Sequence, residues 1–347
     1  MKTVLLPERN ESFGYYKADL HCHSTVSDGS KTPEELKRDY MAHGYSVIAY
    51  TDHDAFLMHN DLTDENFVAL NGYEMGINED SASVYEDRRT CHLCYIALDE
   101  HNDRAVCYHR EKYIGGNAAA YRDRIKFDET LPDFERVYTG ECINEMIKRG
   151  RDAGFFVTYN HPTWSVEEYP EYMRYEGMNA MEIVNFGCVI VGNDDDNGHC
   201  YDDMLRGGKR LFCIGTDDNH NRHGDDDPLC DSYGGYTVIG APSLTYADIA
   251  KALENGCFYT STGNYKNEGP EILSLVVEDG KVKIKTSGAR YITYLTGRRR
   301  CDNRAAVDGD VITEAEFDIG DEKWFRLTVT DNKGFKAYTN AYFTDSL

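Results

Sequence analysis

The stretch Ala18-Asp19-Leu20-His21-Cys22-His23-Ser24 places two histidines two residues apart in a strand-like run. In a strand, residues i and i+2 point to one face, so His21 and His23 can reach a single ion together. Imidazole pairs suit zinc, manganese or iron better than calcium. Such a pair is common on its own, and its weight comes from the residues downstream of it. Asp28 lies five residues beyond His23, and His53 sits in Ile48-Ala49-Tyr50-Thr51-Asp52-His53-Asp54. Glu74 closes Leu70-Asn71-Gly72-Tyr73-Glu74, and His92 opens a second apolar run ending at Leu98. His161 ends Phe155-Phe156-Val157-Thr158-Tyr159-Asn160-His161, and Asp217, Asp218 and His220 end the run that begins at Leu211.

Around these residues, strand-like runs alternate with helix-like ones, as in a parallel sheet or barrel. Thr32-Pro33-Glu34-Glu35 is a helix start with a capping box, and the helix is expected to end near Gly44. Helices are also expected over residues 143–153, stopped by Gly154, over 200–205, and over 246–255, closed by Gly256. After Gly263 the character changes to short alternating runs punctuated by Asp279-Gly280, Asp308-Gly309 and Asn332-Lys333-Gly334. That pattern predicts a small antiparallel sandwich, immunoglobulin-like in type. The expected division is a hydrolase barrel over residues 1–265 and a β-sandwich over 266–347. The sandwich carries no ligand-type cluster and reads first as a structural appendage. Its Arg298-Arg299-Arg300 run reads as a solvated hairpin tip, with phosphate contact as the competing role.

The ordered set of motifs resembles the PHP (polymerase and histidinol phosphatase) family of metal-dependent phosphoesterases. The segments that carry the resemblance are the His21–Ser30 stretch, Ile48–Ala55, Glu74 in its Gly-Tyr-Glu-Met context, His92–Leu98, Thr158–Pro162 and Gly215–His220. It implies a distorted (β/α)7-type barrel, in an α/β fold, holding two or three divalent ions (zinc, manganese or iron) at the strand ends. By the family pattern His21, His23, Glu74 and Asp218 would hold a first ion. Glu74 would bridge to a second, completed by His92 and His161, and Asp28, His53 and His220 would hold a third. Some members have histidine where this chain has Asp28; an oxygen donor there favours a harder ion such as manganese or iron. Between the two neighbouring aspartates, strand alternation favours Asp218, which shares a side with His220.

The resemblance implies hydrolysis of a small phosphate monoester or diester, of the nucleotide or sugar phosphate class. Close cations lower the pKa of a shared water, supplying hydroxide near neutral pH. Glu74 and Asp218 are the expected catalytic carboxylates, Asp218 as a proton shuttle, and Arg222 and His223 are the nearest cationic candidates for phosphate contact. Two other readings stay open: an amidohydrolase-like attack on a carbon-centred bond, and a catalytically silent metal-containing binding module. A complete ligand set argues against the latter.

Length and composition bound these readings. The 347 residues suffice for one large barrel plus a small module. A formal charge of −24 would repel a long polyphosphate, so a small anionic substrate is expected and a long nucleic acid is not. Eleven scattered cysteines, no leader-like start and no span of about 18 apolar residues point to a reducing cytoplasm and no membrane partner. Cys91 and Cys94 flank His92 as a lone pair of thiols and read as buried strand residues. Asn193-Asp194-Asp195-Asp196-Asn197-Gly198 faintly resembles a calcium loop, but its twelfth position is Met204 rather than Glu. Glu182 and Asn185 are expected at the mouth as supporting rather than ligating residues. His43, His59, His101, His109 and His199 fall outside the motifs. Two insertions, 101–136 and 163–178, are candidate lids; Trp164, Tyr169, Tyr172 and Tyr175 in the second could stack on a base or sugar, or simply pack it down.

Overall fold

The computed structural model describes residues 2–80, 84 and 87–347. Strand β1 (Lys2–Leu6) precedes β2 (Gly14–Cys22), which carries the first histidine of the pair. Helix α1 (Pro33–Ala42) begins with the expected capping box: Glu35 N donates to Thr32 Oγ1 at 3.3 Å and Thr32 N to Glu35 Oε2 at 2.9 Å. Strands β3 (Tyr45–Tyr50), β4 (Val68–Asn78) and β5 (Thr90–Ala97) follow. The first insertion contains the short parallel pair β6 (Arg104–Ala105) and β7 (Lys126–Phe127). Helix α2 (Gly140–Asp152) starts three residues before the expected Ile143 because Thr139, not the first apolar residue, caps it, accepting from Cys142 N at 3.2 Å. Then come β8 (Phe155–Tyr159), α3 (Tyr169–Tyr172), β9 (Ala180–Asn185), α4 (Phe186–Ile190), α5 (Gly198–Arg206) and β10 (Phe212–Thr216). Strand β11 (Gly235–Ala241), α6 (Tyr246–Glu254) and β12 (Phe258–Thr262) complete the site-bearing part. The remainder is β13 (Ile272–Glu278), β14 (Lys281–Ala289), β15 (Tyr291–Thr296), β16 (Cys301–Ala305), β17 (Ile312–Asp318), β18 (Trp324–Thr330), β19 (Lys336–Thr339) and β20 (Tyr342–Phe343).

One mixed sheet dominates, in the order β10-β9-β8-β5-β4-β3-β2-β11-β12-β19-β18-β15-β16. The parallel alternation expected from sequence is interrupted at β5, which runs antiparallel to both β4 and β8. The link between β4 and β5 is too short for the helical crossover that a parallel pair requires. Strands β2 and β10, far apart in the sheet order, meet at their ends: Asp218 N donates to His21 O at 2.8 Å and His23 N to Asn219 O at 3.3 Å. The inner face of the curled sheet explains why. Ala18 and Leu20, Val47 and Ala49, Val68 and Leu70, Ile96, Phe156, Ala180 and Ile214 converge on one core, closed below by Ile249 and Leu253 of α6. Alternation continues that same face upward through Glu74, Cys94 and His92, Thr158, Glu182 and Thr216. The interior is therefore apolar in its lower half and polar at the strand ends. A register shift between Asp19 and Cys22 lets the consecutive residues Leu20 and His21 both face inward.

The carboxyl-terminal strands continue this sheet, since β12 pairs with β19. A four-stranded sheet, β1-β13-β14-β17, faces them across a separate core that includes Leu6, Ile272, Tyr294, Phe317, Phe325 and Leu327. Strand β1 thus joins the chain's beginning to its last third. Other bonds cross the expected division at residue 265. Arg326 grips Asp202 of α5 through Nε at 2.6 Å and Nη2 at 3.0 Å, both side chains nearly buried. Asn340 Oδ1 accepts from Cys213 N at 2.9 Å, and Asn340 Nδ2 donates to Gly256 O and Phe258 O at 3.1 Å each. Arg298 and Arg300 are engaged locally, with Asp321 Oδ1 at 3.0 Å and Asp318 O at 2.7 Å, as the hairpin-tip reading expects. No helix among the described residues is long and apolar enough to cross a membrane.

The Arg326–Asp202 link gives a stability test. Arg326→Met leaves Asp202 charged and buried, and should cost about 3–5 kcal/mol in urea unfolding. Adding Asp202→Leu should recover most of that loss, because apolar replacement of a whole buried pair is close to neutral. If the single variant unfolds at the wild-type midpoint, the pair does not tie the two parts together. For the same reason a chain ended after Gly263 is expected to lose cooperative unfolding, since β12 would be left as a bare edge.

Candidate metal centre

The strand ends of the curled sheet deliver their donors to one spot, and Glu74 of β4 lies at its middle. Glu74 Oε1 is 2.9 Å from His92 Nδ1, 3.2 Å from His161 Nε2 and 3.3 Å from His21 Nε2. Its other oxygen, Oε2, is 2.9 Å from His53 Nδ1 and 3.5 Å from His23 Nε2. On one side Asp218 Oδ1 stands 3.0 Å from His23 Nε2 and 3.3 Å from His21 Nε2. On the other, Asp28 lies 3.2 Å from His220 Nε2, 3.8 Å from His23 Nδ1 and 3.9 Å from His53 Nε2. All nine residues expected as ligands are thus brought together.

Their grouping differs in detail from the one the family pattern implies. His21, His23 and Asp218 form one set of converging donor atoms, and His23, Asp28, His53 and His220 another, so His23 faces both. A further set is His53, Glu74 and His92, and His161 joins a set with His21 and Glu182 while its Nε2 also lies 3.2 Å from Glu74 Oε1. His92 reaches Glu74 from near the start of its strand because β5 runs antiparallel, which puts its beginning at the same end as its neighbours' ends. Gly76 lies opposite it, and a Cβ there would come within 2.9 Å of His92 Nε2, so glycine leaves the ring its place.

A second layer aims these side chains. Glu182, fully buried, accepts from His21 Nδ1 at 2.7 Å, Thr216 Oγ1 at 2.7 Å, Asn185 Nδ2 at 2.9 Å and the backbone N–H of His161 at 2.8 Å. Holding the Nδ1 proton leaves His21 Nε2 free to face Glu74 and Asp218. Asn185 Nδ2 also donates to Asp218 Oδ2 at 3.1 Å. The choice between the neighbouring aspartates is clear in the geometry. Asp217 turns away and accepts from Tyr233 N, Gly234 N, Gly235 N and Tyr40 OH at 2.6, 2.9, 2.9 and 3.0 Å. Asp54, His161 and Asp218 all take left-handed backbone, with φ of 55°, 27° and 50°. Strain at three strand ends of one site is held by these surrounding bonds.

The cluster fits cations on two counts. Its donors are imidazole nitrogens and carboxylate oxygens, the set that suits zinc, manganese or iron. Glu74 Oε2 is buried and receives no well-aligned hydrogen bond, an orphan acceptor in a ring of imidazoles. Without ions the groups compensate one another. Burial disfavours charge on Glu74, but His92, His21 and His53 outweigh it and hold the carboxyl well below the usual range. Burial likewise works against His53 and His161, yet the carboxylates around them push both up to about 9. His23 and His92 move down, chiefly through burial.

Sequence reading missed Cys94, whose thiol lies within the His21 and Glu74 group and accepts from Asn160 Nδ2 at 2.9 Å. Burial pushes that thiol up to about 12, so it stays neutral. The inward parity it shares with His92, two residues earlier on the same strand, is the signal that could have flagged it. Arg222 and His223 lie exposed on the loop after His220, where His223 Nδ1 is 3.2 Å from Asp227. Among the described residues, neither is in the nine-residue cluster. His43 stacks on Tyr233, and His59 packs at a tilt against Tyr50, in packing roles.

No protein-family model matches the chain. Over 92 residues, 21% of the chain, it is 36% identical to 16% of the DNA polymerase/3'-5' exonuclease PolX of Bacillus subtilis. Over 38 residues, 11% of the chain, it is 55% identical to 14% of a 5'-3' exoribonuclease of Haemophilus influenzae. The chain thus spans well under a fifth of either relative. Among solved structures, a two-domain protein of Bacteroides vulgatus containing a predicted PHP-like metal-dependent phosphoesterase aligns with 97% of this chain and 98% of its own, at 15% identity and a TM-score of 0.46. This chain is similar to PHP-type metal-dependent phosphoesterases.

The loop after His161 is fastened from beneath. Glu167, almost fully buried, accepts from Tyr138 OH at 2.6 Å, Tyr159 OH at 2.6 Å and Tyr175 OH. Burial pushes its carboxyl up to about 7, although the three hydroxyls pull the other way. An acid whose folded pKa is raised favours folding while protonated, so its contribution is full below the ordinary value of 4.5 and is lost as pH rises through about 7. Relative to Glu167→Gln, which mimics the protonated side chain, the natural protein should match at pH 4.5 and be less stable above pH 7, by up to about 3 kcal/mol. Parallel stability curves for the two proteins across that range would contradict the assignment.

Proposed function

We propose that this chain is a metal-dependent hydrolase of small phosphate monoesters or diesters, its curled sheet being a PHP-type barrel that binds two or three divalent ions. The observation that carries the reading is Glu74: one buried carboxylate whose two oxygens face five imidazoles from four strand ends, flanked by Asp218 and Asp28. His21, His23 and Asp218 would hold one ion, Glu74 with His92 and His161 a second, and Asp28, His53 and His220 a third. Such ions, when bound, supply Lewis-acid polarisation of a phosphoryl oxygen and activation of water. The chain's own residues orient and exclude. Glu182 fixes the His21 ring and Asn185 fixes the Asp218 carboxylate, which would take or return a proton at the site. Arg222, exposed beside His220, is the cation offered to an incoming phosphate.

Substrate size follows from charge. The two nucleases that share short segments with this chain act, by their names, on nucleic acids. Here a net charge of −24 repels a long polyanion, whereas a small ester can be neutralised by the ions themselves. A nucleotide or sugar phosphate meets both conditions.

A phosphate-release screen over nucleotides and sugar phosphates with added manganese tests the reading. Glu74→Ala should lower turnover by roughly a thousandfold or more and release ions, because it removes the shared carboxylate. Glu182→Gln, which loosens the hold on the His21 ring, should cost about 10–100-fold in metal affinity or activity. Asp28→Ala should retain more metal than Glu74→Ala while still slowing turnover. Cleavage of amides or lactones with no phosphate release would instead favour attack at carbon.

A further inference from the structure

Trp164 follows His161 by three residues and is only partly buried, and it joins none of the four apolar cores of the described residues. Of the other aromatics in the same insertion, Tyr172 and Tyr175 are buried in the main core, and Tyr169 is exposed and packs edge-on to Tyr172. The indole instead stands edge-on to two of the imidazoles that face Glu74, at 5.4 Å from His92 with a 61° tilt and 5.0 Å from His161 with an 82° tilt. A large aromatic side chain left outside the core but held against the metal centre presents apolar surface to whatever enters the site.

Its backbone is fixed independently of the ring. Asp195, fully buried, accepts from Thr163 N at 3.0 Å, Trp164 N at 2.9 Å and Asn197 Nδ2 at 3.0 Å. Asn185 N donates to Asp195 O at 3.0 Å, which ties this strap to the end of β9. The next residue, Asp196, is held from the carboxyl-terminal sheet by Lys336 Nζ at 2.6 Å and Tyr338 OH at 2.7 Å. A wall anchored through its main chain on both sides is preorganised, so little ordering cost falls on ligand binding.

We propose that Trp164 is a specificity-determining residue that stacks on the base of a nucleotide whose phosphate lies at the metal centre. A flat indole overlaps fully only with a flat ring, which a puckered sugar does not offer. This assignment rests on the phosphoester reading and names its substrate class.

Adenosine 5′-monophosphate and ribose 5-phosphate share sugar and phosphate and differ only in the base. In the metal-loaded enzyme, Trp164→Ala should lower kcat/KM for the nucleotide about tenfold or more, the usual worth of one stacked base, and change that for ribose 5-phosphate less than twofold. Trp164→Phe should restore most of the loss, with metal content equal in all three proteins. Equal losses on both esters, or no loss on the nucleotide, would overturn the proposal. Binding supplies a separate arm. The chain has two tryptophans, Trp164 and the buried Trp324, so Trp324→Phe leaves Trp164 as the sole reporter. Its emission should change on titration with the nucleotide and stay constant with ribose 5-phosphate; the same response to both would overturn the proposal. If neither ester is hydrolysed, the phosphoester reading fails, and the emission arm still decides what the indole stacks on.

Discussion

A carboxylate with 1% of its surface exposed, set among imidazoles, is the constraint on which the rest of this structure depends. An isolated charge at that depth would cost several kcal/mol and would simply be protonated. Glu74 stays ionised because the histidines share the burial with it, and three of them, His21, His23 and His161, are in turn held by a further acceptor or hydroxyl. Glu182 secures His21, and Ser165 Oγ lies 3.1 Å from His161 Nδ1. The cluster is therefore one electrostatic object, supported from beneath by residues that never reach its centre.

Below it, the inner face of the sheet is apolar, and that division of a single face into a dry half and a charged half is what localises the chemistry. Small aliphatic side chains such as Ala18, Ala49 and Ala180 let the strands curl tightly around Leu70, Phe156 and Phe258. The curling brings β2 and β10 end to end, so that donors nearly two hundred residues apart, His21 and Asp218, lie within 3.3 Å. Left-handed backbone at Asp54, His161 and Asp218 is the local strain accepted to aim them.

The carboxyl-terminal strands belong to this mechanical system. They extend the main sheet through β12 and β19 and grip α5 through a buried Arg326–Asp202 pair. They also reach the strap that fixes the wall beside His92 and His161, through Lys336, Tyr338 and Asp196. A region without a single expected ligand thus bears on the geometry of the site.

Much of this was legible in the chain of amino acids. His21 and His23, Asp28, His53, Glu74, His92, His161, Asp218 and His220 stand at or just beyond strand-like runs, and the resemblance of that ordered pattern to the PHP family is what named them together. The capping box of α1 and the closure of α6 by Gly256 were equally local, and so were the hairpin tip at Arg298 and the burial of Cys91 and Cys94. Alternation even separated Asp218 from Asp217, because period 2 is a property of the strand itself. What the pattern could not supply was anything set by which strands become neighbours. The reversal of β5, the double role of His23 and the placing of Cys94 under Glu74 all depend on pairing between distant segments. So does the passage of the sheet into the carboxyl-terminal strands, where turn signals suggested a division. Side-chain character and spacing are encoded residue by residue, whereas strand partners are chosen by the burial of a whole face, which is a property of the folded chain alone.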